Sequence, residues 1–314
     1  MSKFLTHTGA LVRSLPLDFA TKALRSTASV AIDGPLALRQ HEAYVAALAS
    51  CLPPGSVTTL PAAEGCPDSV FIEDTAVVLG GRALLARPGA ASRRGEVAGV
   101  EAALRARGVA CSALAPPGTL DGGDVVWTGR EFFCGLSRRT NRVGLEALAA
   151  AFPGARVTGV PLGELHKEAR RGARARLAHP SARLVSEGEG EEDAPLHLKS
   201  LLSLVGPDTI AVADTPLGTE VALYLQQRSG VAGGVKRAGG RLSYVLIPAP
   251  SAPAANAVFV NGALLVRSAE ECPEGVAELR LYARDVGISK VVEVNVSELA
   301  KADAALTCCS ILLS

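Results

Sequence analysis

The chain has 314 residues, 48% of them hydrophobic, which is enough to bury the core of one large domain or of two ordinary ones. Its formal net charge of +1 gives no general electrostatic attraction to nucleic acid or to an anionic membrane. Aromatic residues make up only 4%, too few for base-stacking platforms, and no run approaches the ~20 apolar residues of a spanning helix. We therefore expect neither nucleic acid nor membrane as a partner.

The seven cysteines are scattered and contain no Cys-x-x-Cys pair. This pattern predicts reduced thiols, and it favours neither a disulfide framework nor a structural zinc site. Residues 1–7 lack the apolar segment that a signal peptide requires. We therefore expect a cytoplasmic protein.

Four segments are predicted to form β-hairpins, because in each of them two short apolar runs are joined by a tight turn. In chain order they are residues 75–86, 124–134, 198–213 and 257–267. The last of these has the strongest hairpin signal, with Asn261-Gly262 at its turn. Paired antiparallel strands are therefore expected at four places in the chain.

A segment with helical periodicity follows each hairpin. These segments are residues 96–107, 142–152, 219–227 and 273–286. The unit recurs about every 48 residues, which indicates stacked or radial modules. We predict a single α/β domain over residues 1–314, a five-bladed propeller of ββαβ repeats, closed by pairing Gly9–Arg13 with the last strand. The alternative is an open α/β sheet with chance spacing.

One interval between repeats is too long by roughly 30 residues. The excess falls at about 162–195, where a basic block is followed by an acidic, glycine-broken one. Its first half could form an isolated helix, and its second half has the composition of a solvated loop. We predict a polar, disordered insertion that loops outward from the domain.

The two adjacent cysteines Cys308 and Cys309 lie in an apolar run that is predicted to be the last strand. Neighbouring side chains of a strand point to opposite faces, so one thiol can face a cavity while the other packs in the core. This geometry does not choose between the two, and either thiol could be a small core residue. We predict that Cys308 is a nucleophile, and the choice of Cys308 over Cys309 rests on the family resemblance described below.

Polar residues precede the first strand of each hairpin, where a radial fold would bring them together at the axis. They are Glu73, Asp74, Asp121, Asp124, His197 and Asn256. An acid in this position is often a turn residue that bonds its own backbone, and a histidine between leucines is often a core residue. Together with a thiol, however, carboxylates and an imidazole are the groups needed for nucleophilic attack on a cation.

Five segments resemble the dimethylarginine dimethylaminohydrolase family, and are closest to its catalytically competent type 1 form. They are CPDSVFIEDTAVV (66–78), ARPGAASRRGEV (86–97), TLDGGDVVWTGREFFCGLSRRTN (119–141), LHLKS (196–200) and SELAKADAALTCCSIL (297–312). The likeness covers nearly the whole chain apart from the insertion. The family belongs to the guanidino-modifying enzymes, which share a five-bladed α/β propeller, so the resemblance implies that fold.

The resemblance also implies residue roles. The nucleophile matches Cys308, the acid/base matches His197, and its supporting carboxylate matches Asp121. The positions that match substrate-binding residues are Leu24 in a lid loop, Asp68, Glu73, Asp74, Arg93, Arg139 and Ala302. By composition alone, the arginine pairs 93–94 and 138–139 could instead be solvated surface charges.

The activity implied is hydrolysis of asymmetric dimethylarginine and monomethylarginine to L-citrulline and dimethylamine or methylamine, through a thiouronium on Cys308. Such hydrolysis would relieve inhibition of nitric oxide synthesis. The expected partner is this small-molecule substrate, and the expected state is a monomer or weak homodimer. No cofactor is required, although an inhibitory zinc at the thiol is chemically plausible.

Two alternatives remain open. An arginine or agmatine deiminase would use the same thiol, histidine and acids. A non-catalytic member of the family would act through protein contacts, and it is favoured if the insertion displaces His197.

Overall fold

The computed structural model describes residues 5–25, 30–177, 196–229 and 244–314. Within these residues the strands form five three-stranded sheets. In chain order the strands are β1 (Gly9–Arg13), β2 (Val57–Leu60), β3 (Ala76–Leu79), β4 (Arg82–Leu85), β5 (Ala110–Ala113), β6 (Val125–Trp127), β7 (Glu131–Gly135), β8 (Arg156–Val160), β9 (Leu202–Gly206), β10 (Thr209–Ala213), β11 (Val245–Ala249), β12 (Val258–Val260), β13 (Ala263–Arg267), β14 (Lys290–Val294) and β15 (Ile311–Leu313).

Helices connect these strands. They are α1 (Phe19–Lys22), α2 (Gly34–Ala49), α3 (Val97–Ala106), α4 (Arg142–Ala151), α5 (Leu162–Leu177), α6 (Pro216–Ser229), α7 (Ala252–Ala255), α8 (Pro273–Asp285) and α9 (Ser297–Ala300). The four predicted helices correspond to α3, α4, α6 and α8. None of the helices in the described part of the chain has the length and apolar character that crossing a bilayer requires.

Each sheet is one blade with the same topology. The first strand pairs antiparallel with the second, the second pairs parallel with the third, and a helix makes the parallel connection. The predicted hairpin at 257–267 turns at Asn261 and Gly262, which have φ of 49° and 80°. Both values lie in the left-handed region that a two-residue hairpin turn requires. The predicted hairpin, helix and strand repeat is confirmed.

The remaining blade closes the ring. β1 pairs antiparallel with β15, with Gly9 opposite Leu313 and Leu11 opposite Ile311, and β1 pairs parallel with β2. The predicted pairing of Gly9–Arg13 with the last strand is therefore confirmed. The order β15-β1-β2 repeats the topology of the other four blades, with strands from both ends of the chain.

The core is divided among the interfaces between neighbouring blades. Alternate residues of a central strand face opposite neighbours, as a pleated strand requires. Phe132 of β7 packs with β3 and β4 of the preceding blade, whereas Phe133 packs with β9 and β10 of the following blade. Each blade thus buries its two faces against different partners and cannot form a core by itself.

Residues 162–177 of the predicted insertion form α5, so the helix expected as possible in its first half is present, but it packs on the domain and is neither isolated nor disordered. Leu162, Leu165 and Ala169 lie along one side of this helix and are each 5% exposed. They pack in the same core cluster as Val221 and Leu225 of α6. The basic residues mask this apolar stripe in the composition, because a helix needs only one apolar face to pack. Residues 178–195 lie outside the described residues.

Replacing Leu165 by alanine is expected to lower the free energy of unfolding by about 2–5 kcal/mol, because it removes a buried side chain from this interface. Chemical denaturation measures the change. The matched control is Lys167→Ala, at an exposed position of the same helix, which is expected to stay within about 0.5 kcal/mol of the parent. Equal small effects of the two changes would contradict the packing of α5.

Candidate active site

A single helical turn precedes the first strand of each blade; four are 3₁₀ turns and one is α7, and we call these five segments the lead-in turns. They are Ile72–Thr75, Gly122–Asp124, Leu198–Ser200, Ala252–Ala255 and Leu306–Cys309, each taken with its flanking residues. All lie at the same end of the propeller axis, because each enters an equivalent first strand. Each lead-in turn carries one or more of the polar residues singled out in the sequence.

Side chains of one lead-in turn bind the backbone of the next. Asp74 accepts a hydrogen bond from the backbone N–H of Gly123 at 2.8 Å. Asp124, in the second turn, accepts one from the N–H of Leu198 at 2.9 Å. Asp124 also accepts bonds from the hydroxyls of Ser137 and Thr140, both at 2.6 Å. These carboxylates therefore fix the spacing between successive blades at the axis.

The two glycines of the second turn permit this close approach. A Cβ on Gly122 would collide with the carbonyl oxygen of Glu73, and one on Gly123 would lie 2.8 Å from Nδ1 of His197. The sequence analysis did not assign these glycines to a particular contact. In the structure they bring the backbone against the neighbouring lead-in turns.

His197 is buried against three carboxylates. Its Nε2 lies 3.0 Å from Oδ2 of Asp121 and 3.9 Å from Oδ1 of Asp74. Burial lowers the pKa of His197, but the charge of Asp74, the hydrogen bond of Asp121 and the charge of Asp124 outweigh it and raise that pKa to about 9. The imidazole is therefore protonated at neutral pH and can act as a general acid.

Cys308 lies in a 3₁₀ turn, Leu306–Cys309, and the prediction that it belongs to the last strand is wrong because β15 begins at Ile311. The N–H of Ala305 donates to its sulfur at 3.4 Å. Cys308 is half-buried, whereas Cys309 is fully buried in the core. Burial, with the charges of Glu73 and Asp74, raises the pKa of the Cys308 thiol to about 12, so the free thiol is neutral.

Cys308 and His197 line one cavity of about 270 Å³. Eight of the ten predicted site residues line it, namely Leu24, Asp68, Asp74, Arg93, Arg139, His197, Ala302 and Cys308. Asp121 lies behind His197 and contacts it. Residues that line this cavity but were not predicted include Arg25, Arg138 and Asp303.

Arg93 is held by acids of the protein itself. Its Nη1 lies 2.5 Å from Oδ2 of Asp74, and its Nε and Nη2 donate to the two oxygens of Glu96 at 2.9 and 2.8 Å. The carbonyl of Phe71 accepts a further bond at 2.8 Å. Burial opposes the charge of Arg93, but Asp74 and Glu96 outweigh it and hold its pKa well above the ordinary value. Glu96 was not singled out in the sequence.

Asp68 fixes one wall of the cavity, since its Oδ1 accepts the backbone N–H of Leu24 at 2.8 Å. Burial is the largest influence on this carboxyl and raises its pKa. The contact joins the segment that carries Leu24 to the blade that carries Asp68. Both residues line the cavity, and their roles as substrate contacts remain predictions.

Glu73 does not line this cavity. Its Oε1 accepts from Nζ of Lys199 at 2.6 Å, and Lys199 also donates to the carbonyl of Gly122 at 3.3 Å. The pair lines a second cavity of about 170 Å³, whose walls are mainly the apolar first strands of the blades. The sequence analysis did not identify Lys199. The only signal for it in the sequence is that it follows His197 by two residues in the LHLKS segment.

Three ligand atoms within 4.8 Å of one another could hold a metal ion, one each from Asp74, Asp121 and His197. A histidine and two carboxylates suit zinc and other divalent metals. Cys308 lines the same cavity and could supply a thiolate. The expectation of an inhibitory zinc at the thiol remains a prediction.

Comparison with known proteins finds no match among protein-family models. The chain is 33% identical over 284 residues to the N(G),N(G)-dimethylarginine dimethylaminohydrolase of Streptomyces coelicolor, covering 90% of this chain and 88% of the relative. It is 29% identical to the human putative hydrolase DDAH2, covering 97% and 94%. A solved structure, a dimethylarginine dimethylaminohydrolase adduct with S-methyl-L-thiocitrulline, matches with a TM-score of 0.72 at 25% identity, over 98% of this chain and all of that one.

A five-bladed α/β propeller with a thiol, an imidazole and carboxylates at one end of its axis defines a guanidino-modifying hydrolase. Among such enzymes, the chain belongs to the dimethylarginine dimethylaminohydrolase family.

Replacing Asp121 by asparagine is expected to lower the titration midpoint of His197 from about 9, because the amide carries no charge to stabilise the imidazolium. NMR titration of the ring measures this. A raised pKa stabilises the fold fully below about 6.5, and the contribution is lost as pH rises through about 9. The stability difference between parent and variant should therefore be largest below pH 6.5 and should shrink toward pH 9.

The control is Asp18→Asn, which removes an exposed pair with Lys22 and should leave the midpoint unchanged. An Asp121→Asn protein with the parental midpoint would show that this carboxylate does not support the imidazolium.

Proposed function

We propose that the protein hydrolyses N-ω-methylated arginines, both asymmetric dimethylarginine and monomethylarginine, to L-citrulline and dimethylamine or methylamine. The observation that carries the proposal is that Cys308, His197 and Asp74 line one cavity, with Asp121 bound to the imidazole at 3.0 Å. The reaction requires a nucleophile, a general acid and a binding site for the guanidinium cation. Removal of methylarginines would relieve inhibition of nitric oxide synthesis.

The substrate cation is bound by Asp68 and Asp74. Although Asp74 already bonds Arg93 and Gly123, each of its oxygens has two acceptor sites, and one on each remains for the guanidinium. Positive His197 and Arg93 outweigh the burial of Asp74 and lower its pKa to about 2, so it is ionised at every physiological pH. Glu73, behind the cavity wall and paired with Lys199, contributes through its charge.

The amino-acid end of the substrate binds at the arginines. Arg139 and Arg138 both line the cavity, and a guanidinium forms a planar, two-pronged contact with a carboxylate. Arg93 is already engaged by Asp74 and Glu96, so Arg139 is the better placed of the two predicted arginines for this role. Leu24 and Ala302 bound the aliphatic part of the substrate.

The first half of the reaction forms a thiouronium. Binding of the guanidinium beside Cys308 lowers the pKa of the thiol, because a neighbouring cation stabilises the thiolate, and the thiol proton passes to solvent. The sulfur attacks the central carbon, and the carbon–sulfur bond forms. His197 then donates its proton to the methylated nitrogen as the carbon–nitrogen bond breaks, so the amine leaves neutral.

The second half consumes water. Neutral His197 accepts a proton from a water molecule, whose oxygen attacks the thiouronium carbon. The carbon–sulfur bond then breaks as the hydroxyl of the adduct loses its proton to solvent, which returns the thiolate, leaves His197 protonated and leaves the urea group of L-citrulline. The thiol and the imidazole supply all the nucleophile and proton chemistry, so we propose that no metal or organic cofactor takes part.

Replacing Cys308 by serine is expected to reduce citrulline release from asymmetric dimethylarginine to below detection, because the hydroxyl is a far weaker nucleophile than the thiolate. A colorimetric or mass-spectrometric citrulline assay measures this. The matched control is Cys309→Ser, which places a hydroxyl in the core and should lower stability while retaining turnover.

Arginine and agmatine are assayed beside the methylated substrate. Faster turnover of either one would favour a deiminase over the proposed activity. No ureido product from any of the three, that is, no citrulline from the two arginines and no N-carbamoylputrescine from agmatine, would favour a non-catalytic member of the family if the parent protein is folded.

A further inference from the structure

Asn256 is a buried amide at the axis that no step of the proposed reaction uses. It follows α7 directly, is 2% exposed, and is not among the residues that line the 270 Å³ cavity. It belongs to the fourth lead-in turn. On either side of it in the ring are the turn that follows His197 and the turn that contains Cys308.

The side chain of Asn256 joins these two turns. Its Nδ2 donates to the carbonyl of Lys199 at 2.9 Å and to the hydroxyl of Thr307 at 3.1 Å. Its Oδ1 accepts the backbone N–H of Thr307 at 3.2 Å. Thr307 immediately precedes Cys308, and Lys199 is two residues after His197. One amide thus connects the backbone of the nucleophile to the backbone of the acid.

This junction requires an amide, unlike those made by Asp74 and Asp124. To join its neighbouring turn, each of those carboxylates needs only to accept a backbone N–H, whereas the residue at this junction must accept one N–H and also donate to a carbonyl. Asparagine offers both functions, and an ionised carboxylate offers no donor. A carboxylate here would face the carbonyl of Lys199 without a hydrogen between the two oxygens.

We propose that Asn256 is a positioning residue that sets the thiol of Cys308 relative to the imidazole of His197. The predicted effect of Asn256 on kcat rests on the proposed function. Asn256 acts through Thr307 and Lys199, because it does not line the substrate cavity. Its loss therefore misplaces the reacting groups without removing substrate contacts, and a misplacement near 1 Å can reduce a rate by ~100-fold.

The test compares Asn256→Asp and Asn256→Ser with the parent. For Asn256→Asp we expect kcat to fall by about 100-fold while KM changes by less than about threefold, since the lost contacts lie outside the cavity. Asn256→Ser keeps a hydroxyl donor and acceptor of shorter reach, so its kcat should fall less. Circular dichroism and thermal unfolding report whether each variant is folded.

A second measurement does not depend on methylarginine turnover. The rate of alkylation of Cys308 by iodoacetamide is followed from pH 6 to pH 10 in a Cys309→Ser background, with the modified peptide identified by mass spectrometry. The added negative charge of Asn256→Asp should slow alkylation at every pH of this range, because it disfavours the thiolate. The profile is informative even if the parent releases no citrulline, so the failure of this proposal and that of the proposed function are distinguishable.

Gln40→Glu provides the matched control. Gln40 is also a buried amide that donates two bonds, to Asn295 and Ser297, and accepts a backbone N–H, from Glu298. The change should lower stability like Asn256→Asp but leave kcat and the alkylation profile at parental values. Folded Asn256 variants with parental kcat and a parental alkylation profile would overturn the proposal, as would a Gln40→Glu protein with the same losses.

Discussion

The hydrogen bonds between lead-in turns are the constraint on which the site depends. Asp74 binds the turn after its own, Asp124 binds the next, and Asn256 binds two at once. Asp74, Asp121, His197 and Cys308 each precede the first strand of a different blade, so no blade contains the site alone. The strands establish five repeating units, and these polar contacts decide how closely the five approach at the axis. Because the contacts are buried, breaking one leaves a donor or acceptor without water to replace its partner.

Several of the buried charges at the axis are arranged in pairs. Arg93 lies between Asp74 and Glu96, Lys199 pairs with Glu73, and the imidazolium of His197 lies against Asp121. An ionisable group buried here without a partner would shift its pKa so that its neutral form is favoured. Cys308 follows that rule, since burial and then the charges of Glu73 and Asp74 raise the pKa of its thiol and favour the neutral form. A cationic substrate would reverse the balance, which confines a reactive thiolate to the occupied site.

Much of this could be predicted from the sequence, for reasons that differ between features. Hairpins with glycine turns and amphipathic helices leave local signals, so four blades and their order could be predicted. The lead-in residues could be predicted because the repeat assigns them equivalent places. Lys199, Glu96 and the junction at Asn256 could not, since their roles depend on which distant backbone atoms face them. The apolar stripe of α5, formed by Leu162, Leu165 and Ala169, could not be recognised among the surrounding charged residues. The 3₁₀ turn at Cys308 could not be recognised because its apolar neighbours are typical of a strand.

The closing blade has a consequence for how the molecule forms. The N–H of Thr8 binds the carbonyl of Leu313 at 2.7 Å, a contact that spans 305 residues along the chain. Contacts of such long range form slowly, because the entropy lost in closing the loop is recovered only once both ends have docked. Cys308 lies directly before β15, the strand that completes this closure. Assembly of the reactive centre is thereby coupled to a long-range folding event, so a chain whose ends have not docked holds its nucleophile apart from its acid.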